Sequence, residues 1–157
     1  MRKPRIYVDT LVIGGCFDPE FEVWSNGLID DFRKERFRLV LSDVTAAEIE
    51  RSPEPVRELH QELISIAELL PVTEEALDVL AAYECHGILS PRFRNDMLHI
   101  ALATVAEVDV LVIWNFRHVV RLDKIQKFNG VNFELGYKTL AIYSPREVTT
   151  YEREDTD

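Results

Sequence analysis

Asn95-Asp96-Met97-Leu98-His99-Ile100-Ala101-Leu102-Ala103 sets a carboxylate and an imidazole into the opening of an otherwise apolar, small-residue helix. Ser90-Pro91 just upstream reads as an N-cap followed by proline at the first helical position, which places Asp96 within the first two turns. There the positive end of the helix dipole favours an anion. At helical spacing Asp96 shares a face with His99 and Ile100, and Ala101 and Ala103 let a neighbouring element come close. Taken alone, the segment fits a solvated acid near a helix start as readily as a site.

The flanking sequence alternates strands with helices. Arg5-Ile6-Tyr7-Val8 is a β-prone run that stops at Asp9-Thr10, with the turn residues Gly14-Gly15 soon after. Val23, Leu28, Ile29 and Phe32 predict a helix from about Glu20 to Arg36. Phe37 to Leu41 is a second strand. Ser42 then caps a helix that carries Val44, Ala47, Glu48 and Arg51 and ends at Pro53. An apolar stripe from Pro55 to Leu70 predicts one amphipathic helix, and Thr73 caps another that runs to about Glu84. Val110-Leu111-Val112-Ile113 has the continuous apolar character of a strand buried on both faces. Val119 to about Gly136 is mostly helical, with Asn129-Gly130 a candidate break, and Lys138 to Tyr143 is the last strand. The pattern predicts an α/β fold with a mostly parallel sheet and helices on both faces. The organisation expected is a single domain over 1–150 and a charged tail over 151–157.

The chain has 157 residues, enough for one domain burying roughly 70% of its unfolded surface. Hydrophobic residues make up 46% and charged residues 29%, which argues against wholesale disorder. No apolar run reaches the ~20 residues that span a bilayer, and no signal-peptide core follows Met1, so a cytoplasmic location is expected. A formal net charge of -10 points away from nonspecific nucleic-acid binding through a basic surface. Positive charge for such a partner must be local: bound metal, clustered arginines or a basic protein. Cys16 and Cys85 sit in no CxxC spacing and read as buried free thiols.

In parallel sheets the ligand crevice lies at the carboxyl ends of the strands. Asp9 and Asn115 fall there, while Glu48 and Asp96 follow on helices. Three gathered carboxylates repel one another unless a cation is present, and a set of oxygens without a Cys/His cluster selects Mg2+ or Mn2+ over zinc. His99 and His118 read as orienting or hydrogen-bonded groups beside this cluster. Arg92, Arg94 and Arg117 flank it and are candidates for substrate phosphate, or else charge-balancing surface residues. Trp114 is a candidate for base stacking, or else core. The Cys85-His86 pair has no orienting acid. Gly14-Gly15 is not GxGxxG, there is no GxxxxGK[ST], and Leu11 stands where a haloacid-type phosphatase needs a second acid.

Tyr7-Val8-Asp9-Thr10, Ser42 followed by Glu48, Asn95-Asp96 leading into His99-Ile100-Ala101-Leu102-Ala103, and Ile113-Trp114-Asn115-Phe116-Arg117-His118 occur in the order seen in PIN-domain proteins. The sequence most resembles VapC-type toxins within that superfamily, over roughly residues 5 to 148; Leu135-Gly136-Tyr137 and Ser144-Pro145-Arg146-Glu147 add to the likeness. The resemblance implies a PIN-like three-layer α/β/α domain. It also implies a Mg2+- or Mn2+-dependent endoribonuclease that hydrolyses RNA to 5'-phosphate and 3'-hydroxyl ends as the toxin of a type II toxin-antitoxin pair. Carried over, Asp9, Glu48 and Asp96 are metal ligands, with Asn115 at a fourth catalytic position where many members have aspartate. Asparagine brings an oxygen but no charge, so a second metal should bind weakly. Leu11 replaces a small hydroxyl residue, leaving outer-shell support to Thr10, with His99 beside it. Arg92, Arg94, Arg117 and His118 would meet RNA. A cognate antitoxin with a basic DNA-binding part and a homodimer are further implications. The competing possibility is a catalytically degenerate PIN-fold module that serves as an RNA- or protein-binding scaffold.

Overall fold

The computed structural model describes residues 2–115, 117–119 and 121–152. Five strands run β1 (Arg5–Val8), β2 (Arg38–Ser42), β3 (Glu68–Leu70), β4 (Val110–Val112) and β5 (Ala141–Tyr143). They form one sheet in the order β3-β2-β1-β4-β5, and every pairing is parallel. The register sets Tyr7 opposite Val40 on one side and Leu111 on the other. Among the described residues the helices are α1 (Thr10–Gly14), α2 (Glu22–Arg33), α3 (Asp43–Ile49), α4 (Glu54–Ile64), α5 (Glu74–Cys85), α6 (Arg94–Val105), α7 (Leu122–Glu134) and α8 (Pro145–Val148).

Strand side chains alternate between two apolar layers because successive residues point to opposite faces. Ile6, Val8, Leu39 and Leu41 pack with Val12 and Ile13 of α1, Leu28, Ile29 and Phe32 of α2, and Leu59 and Leu63 of α4. On the opposite face Tyr7, Val40, Leu111 and Ile142 meet α5, α6 and α7 through Leu80, Met97, Ile100 and Phe128. Ala101 and Ala103 of α6 are fully buried, as close approach requires. The result is three layers, α/β/α, as the strand and helix pattern predicted. No described helix is long and apolar enough to cross a membrane.

The strand order reverses direction between β1 and β4: β2 and β3 lie on one side of β1, and β4 and β5 on the other. Crossovers leaving the two central strands therefore part in opposite directions and open a crevice above their carboxyl ends. Asp9 directly follows β1, and Asn115 lies three residues beyond β4.

Several local expectations are corrected. Gly14-Gly15 is helical rather than a turn, in α1 and the single 3-10 turn Gly15–Phe17 that follows it. The apolar stripe from Pro55 to Leu70 is not one helix: α4 stops at Ile64, and Glu68–Leu70 is the edge strand β3, hydrogen-bonded to β2. Ser90 precedes a 3-10 turn, Pro91–Phe93, and its side chain makes no cap; α6 starts at Arg94, which puts Asp96 in its first turn. Asn129-Gly130 does not break α7, because the Asn129 side chain is clamped to Leu140, accepting from its N–H at 2.6 Å and donating to its carbonyl at 3.0 Å. Cys16 is buried as expected, whereas Cys85 at the end of α5 is exposed. In the expected tail, residues 153–157 lie outside the described residues, as does Phe116 of the late motif.

Candidate active site

Each acid is delivered by a different local device. Asp9 follows β1 in extended backbone and caps α1, its Oδ1 accepting from the Val12 N–H at 3.2 Å. Ser42 ends β2 and caps α3, which carries Glu48 toward the crevice six residues later. Asp96 rides in the first turn of α6, where the helix dipole favours its charge. Asn115 is held from both ends: its Nδ2 lies 3.4 Å from Asp96 Oδ2, and its Oδ1 accepts from the His118 N–H at 3.2 Å.

Electrostatics tie these groups together. Asp9 is only 3% exposed. Its carboxyl is pushed up to about 7, chiefly by burial and further by the charges of Asp96 and Glu48, against the pull of His99 and the Val12 N–H. Asp96 is also raised, by burial first and then by Glu48, against the pull of His99, Asn115 and His118. Glu48 ends lower than an ordinary glutamate. Burial alone would raise it, but hydrogen bonds from His99, Thr10 and Asn95 and the His99 charge outweigh that. Thr10 Oγ1 donates to Glu48 Oε1 at 2.8 Å, and His99 Nε2 lies 2.7 Å from the same oxygen. Asp9, Glu48, Asp96, His99, Thr10 and Asn115 are thus brought to one crevice. Among the described residues, however, no group of three or more His, Cys, Asp or Glu side chains is placed to hold a metal ion.

The candidate phosphate-binding residues divide. Arg117 is exposed and lines, with Asn115 and His118, a groove of about 750 Å³ whose far wall is Leu11, Phe17 and Phe21. Arg92 holds its guanidinium carbon 4.6 Å from the Phe93 ring centre, and the Phe93 and His118 rings stack at 4.5 Å and 33°. Arg94 turns away to Glu84 on α5, 2.9 Å from Nη1 to Oε1. Trp114 is core: it is 6% exposed and its indole N–H donates to Ser25 Oγ at 2.7 Å.

Other residues of the site escaped the sequence. Tyr7 and Ser42 stand in the sequence only as neighbours of Asp9 and Glu48, yet they complete a buried hydrogen-bonded chain to His99. Arg51 and Asn95 border a second groove of about 580 Å³ beside Glu48, and Phe93, Arg121 and Lys124 border a third of about 630 Å³. Helical spacing from Glu48 and adjacency to Asp96 are the signals that would have found Arg51 and Asn95.

A parallel α/β/α sheet whose switch point gathers acids at the strand ends is the architecture of a PIN-like fold, and that is the fold of this chain. Solved structures of 13–18% identity share it. VapBC2 from Rickettsia felis, bound to a DNA fragment from its promoter, is 13% identical with a TM-score of 0.57, covering 89% of this chain and 98% of that one. FitAcB from Neisseria gonorrhoeae is 18% identical with a TM-score of 0.53, covering 89% and 97%. FitAB bound to an IR36 DNA fragment is 15% identical with a TM-score of 0.55, covering 90% and 95%. No protein-family model matches the sequence, and neither does any curated protein.

Proposed function

We propose that this protein is a Mg2+- or Mn2+-dependent endoribonuclease and the toxin of a type II toxin-antitoxin pair. The observation that carries the proposal is the meeting of three acids at the sheet switch point: Asp9 is buried there, Thr10 beside it binds Glu48 at 2.8 Å, and Asn115 after β4 lies 3.4 Å from Asp96. Gathered, partly buried carboxylates are what a hard cation relieves. The donors are oxygens, the chemistry such an ion prefers. Asp9, Glu48 and Asp96 would hold it, and when bound it polarises a phosphodiester and makes water more nucleophilic. The chain's own groups do the rest. His99 and Thr10 keep Glu48 ionised and aimed. Asn115 is fixed by Asp96 and the His118 N–H, so its amide keeps one orientation as substrate arrives.

The substrate proposed is single-stranded RNA. The net charge of -10 repels a backbone laid at random, so phosphates must be met locally, by Arg117 and Arg92. An unpaired base can lie against the half-buried Phe93–His118 stack. Phe93→Ala is expected to raise KM for a single-stranded oligonucleotide about tenfold, with kcat little changed, in steady-state cleavage assays. Complexes such as VapBC2 on promoter DNA support a small DNA-binding partner for this chain, expressed beside it. A homodimer and a cytoplasmic setting belong to the same proposal.

The test is cleavage of a labelled single-stranded RNA in Mn2+, with chelator as control. Chelator-sensitive products carrying 5'-phosphate ends support the proposal. A second reading, a degenerate scaffold, is favoured by one observation: among the described residues no set of three or more His, Cys, Asp or Glu side chains is placed to hold a metal ion. It predicts that calorimetric Mn2+ titration shows no binding that disappears in Asp9→Ala or Asp96→Ala.

A further inference from the structure

Tyr7 lies two residues before Asp9, on the face of the sheet covered by α6. Its hydroxyl is 2.6 Å from His99 Nδ1 and 2.6 Å from Ser42 Oγ. The other imidazole nitrogen, Nε2, is 2.7 Å from Glu48 Oε1. The two rings meet edge to face with centroids 5.5 Å apart. Tyr7, Ser42 and His99 are 0%, 3% and 2% exposed, so water does not compete for these bonds.

We infer that Tyr7 is a positioning residue for Glu48, acting through His99. The unbroken hydrogen-bonded chain from Ser42 through Tyr7 and His99 to Glu48 carries the inference. An ionised carboxylate only accepts, so the hydrogen bond to Glu48 requires a proton on Nε2. A tyrosine phenol keeps its own proton at neutral pH, and its oxygen can both donate and accept. With a neutral imidazole, Nδ1 is an acceptor: Tyr7 donates to it, and Ser42 donates to the Tyr7 oxygen. Ser42 Oγ in turn lies 3.5 Å from the Thr45 N–H. With an imidazolium, Nδ1 donates to the Tyr7 oxygen, and Tyr7 turns its proton to Ser42. A hydroxyl serves both cases, and in both Nε2–H faces Glu48. Without it, Nδ1 has no buried partner, and nothing on that side fixes the ring. Thr10 and Asn95 then hold the carboxylate without His99.

The inference rests on the role proposed for Glu48, and the experiment separates the two. Tyr7→Phe keeps the ring and removes the oxygen; it is expected to lower kcat or Mn2+ affinity about 10–100-fold while KM for RNA holds. Tyr83→Phe is the control, since Tyr83 is another fully buried tyrosine whose hydroxyl bonds to Asn132 and Thr104, away from the site. It should cost comparable thermal stability and leave kcat unchanged. In 15N-histidine NMR spectra recorded where His99 is neutral, the parent should carry its single ring proton on Nε2, and Tyr7→Phe should show a mixture of tautomers. Parental kcat and an unmixed His99 spectrum in Tyr7→Phe, or a kcat loss matched by Tyr83→Phe, overturn the inference. An inactive parent overturns the nuclease proposal, while the His99 spectra still decide for or against the relay.

Discussion

Asp9→Asn is expected to make the metal-free protein more stable at about pH 8 and, in the same preparation, to lower RNA cleavage about a thousandfold or more. The two effects share one cause. In the folded chain Asp9 titrates near 7 rather than at its ordinary value of 3.8. Between those values the folded state holds a proton that the unfolded state has released, so stability falls as pH rises. The contribution is fully present below about 4 and is lost as pH passes through about 7. Asparagine keeps the oxygen that caps α1 but carries no charge to desolvate or repel, so the slope disappears with the substitution. It also removes the carboxylate proposed to hold the ion. Thermal denaturation in chelator from about pH 5 to 8, paired with Mn2+-dependent cleavage, checks both halves. Equal pH slopes in parent and variant would show that Asp9 is not the group that titrates, and Asp96→Asn with intact cleavage would contradict the acidic site itself.

Gly15→Ala is the second large effect, and it should be structural. A Cβ on Gly15 would sit 2.6 Å from Ser25 Oγ and 2.9 Å from Trp114 Nε1, the two atoms of one buried hydrogen bond. Neither can retreat easily: Ser25 is fixed on α2, and the Trp114 ring stacks on Phe21 at 4.5 Å. Overpacking of this kind costs about 1–3 kcal/mol, or roughly 3–10 °C in Tm for a chain of this size. Because Trp114 immediately precedes Asn115, cleavage should fall as well. Gly14→Ala is the companion: nothing lies within 4 Å of its added Cβ, and the residue is already helical at φ -60. It should be neutral or stabilising by up to about 1 kcal/mol. Differential scanning calorimetry on the pair separates packing from backbone entropy. Two equally destabilised variants would show that both glycines are needed for conformation instead.

The same glycines mark where the sequence stops being legible. As a pair after Asp9-Thr10 they signal a turn, because glycine is a poor helix former. The close approach of α2 and Trp114 that makes one of them necessary is tertiary. β3 was hidden for a related reason. Ala67 and Leu70 continue the apolar spacing of α4 by coincidence, and only pairing with β2 distinguishes a three-residue strand from another helical turn. What was legible came from the order of elements. A carboxylate directly after a strand, another six residues past a capping serine, and a third within the first two turns of an apolar helix made Asp9, Glu48 and Asp96 candidates for one crevice, and the structure brings them near one another. The Tyr7 relay was illegible because a tyrosine in a strand looks the same whether it packs or donates. The partner of Arg94 was illegible too: proximity in sequence to Asp96 says nothing about Glu84, across on α5, with which it pairs.

The unequal fate of the two thiols has a practical use. Cys16 is buried and its thiol is pushed up to about 12, chiefly by burial, so little thiolate exists there at neutral pH. Cys85 stands exposed at the end of α5. A maleimide fluorophore should therefore attach once per chain without mutagenesis, giving a reporter for partner docking and for the distance to an end-labelled RNA.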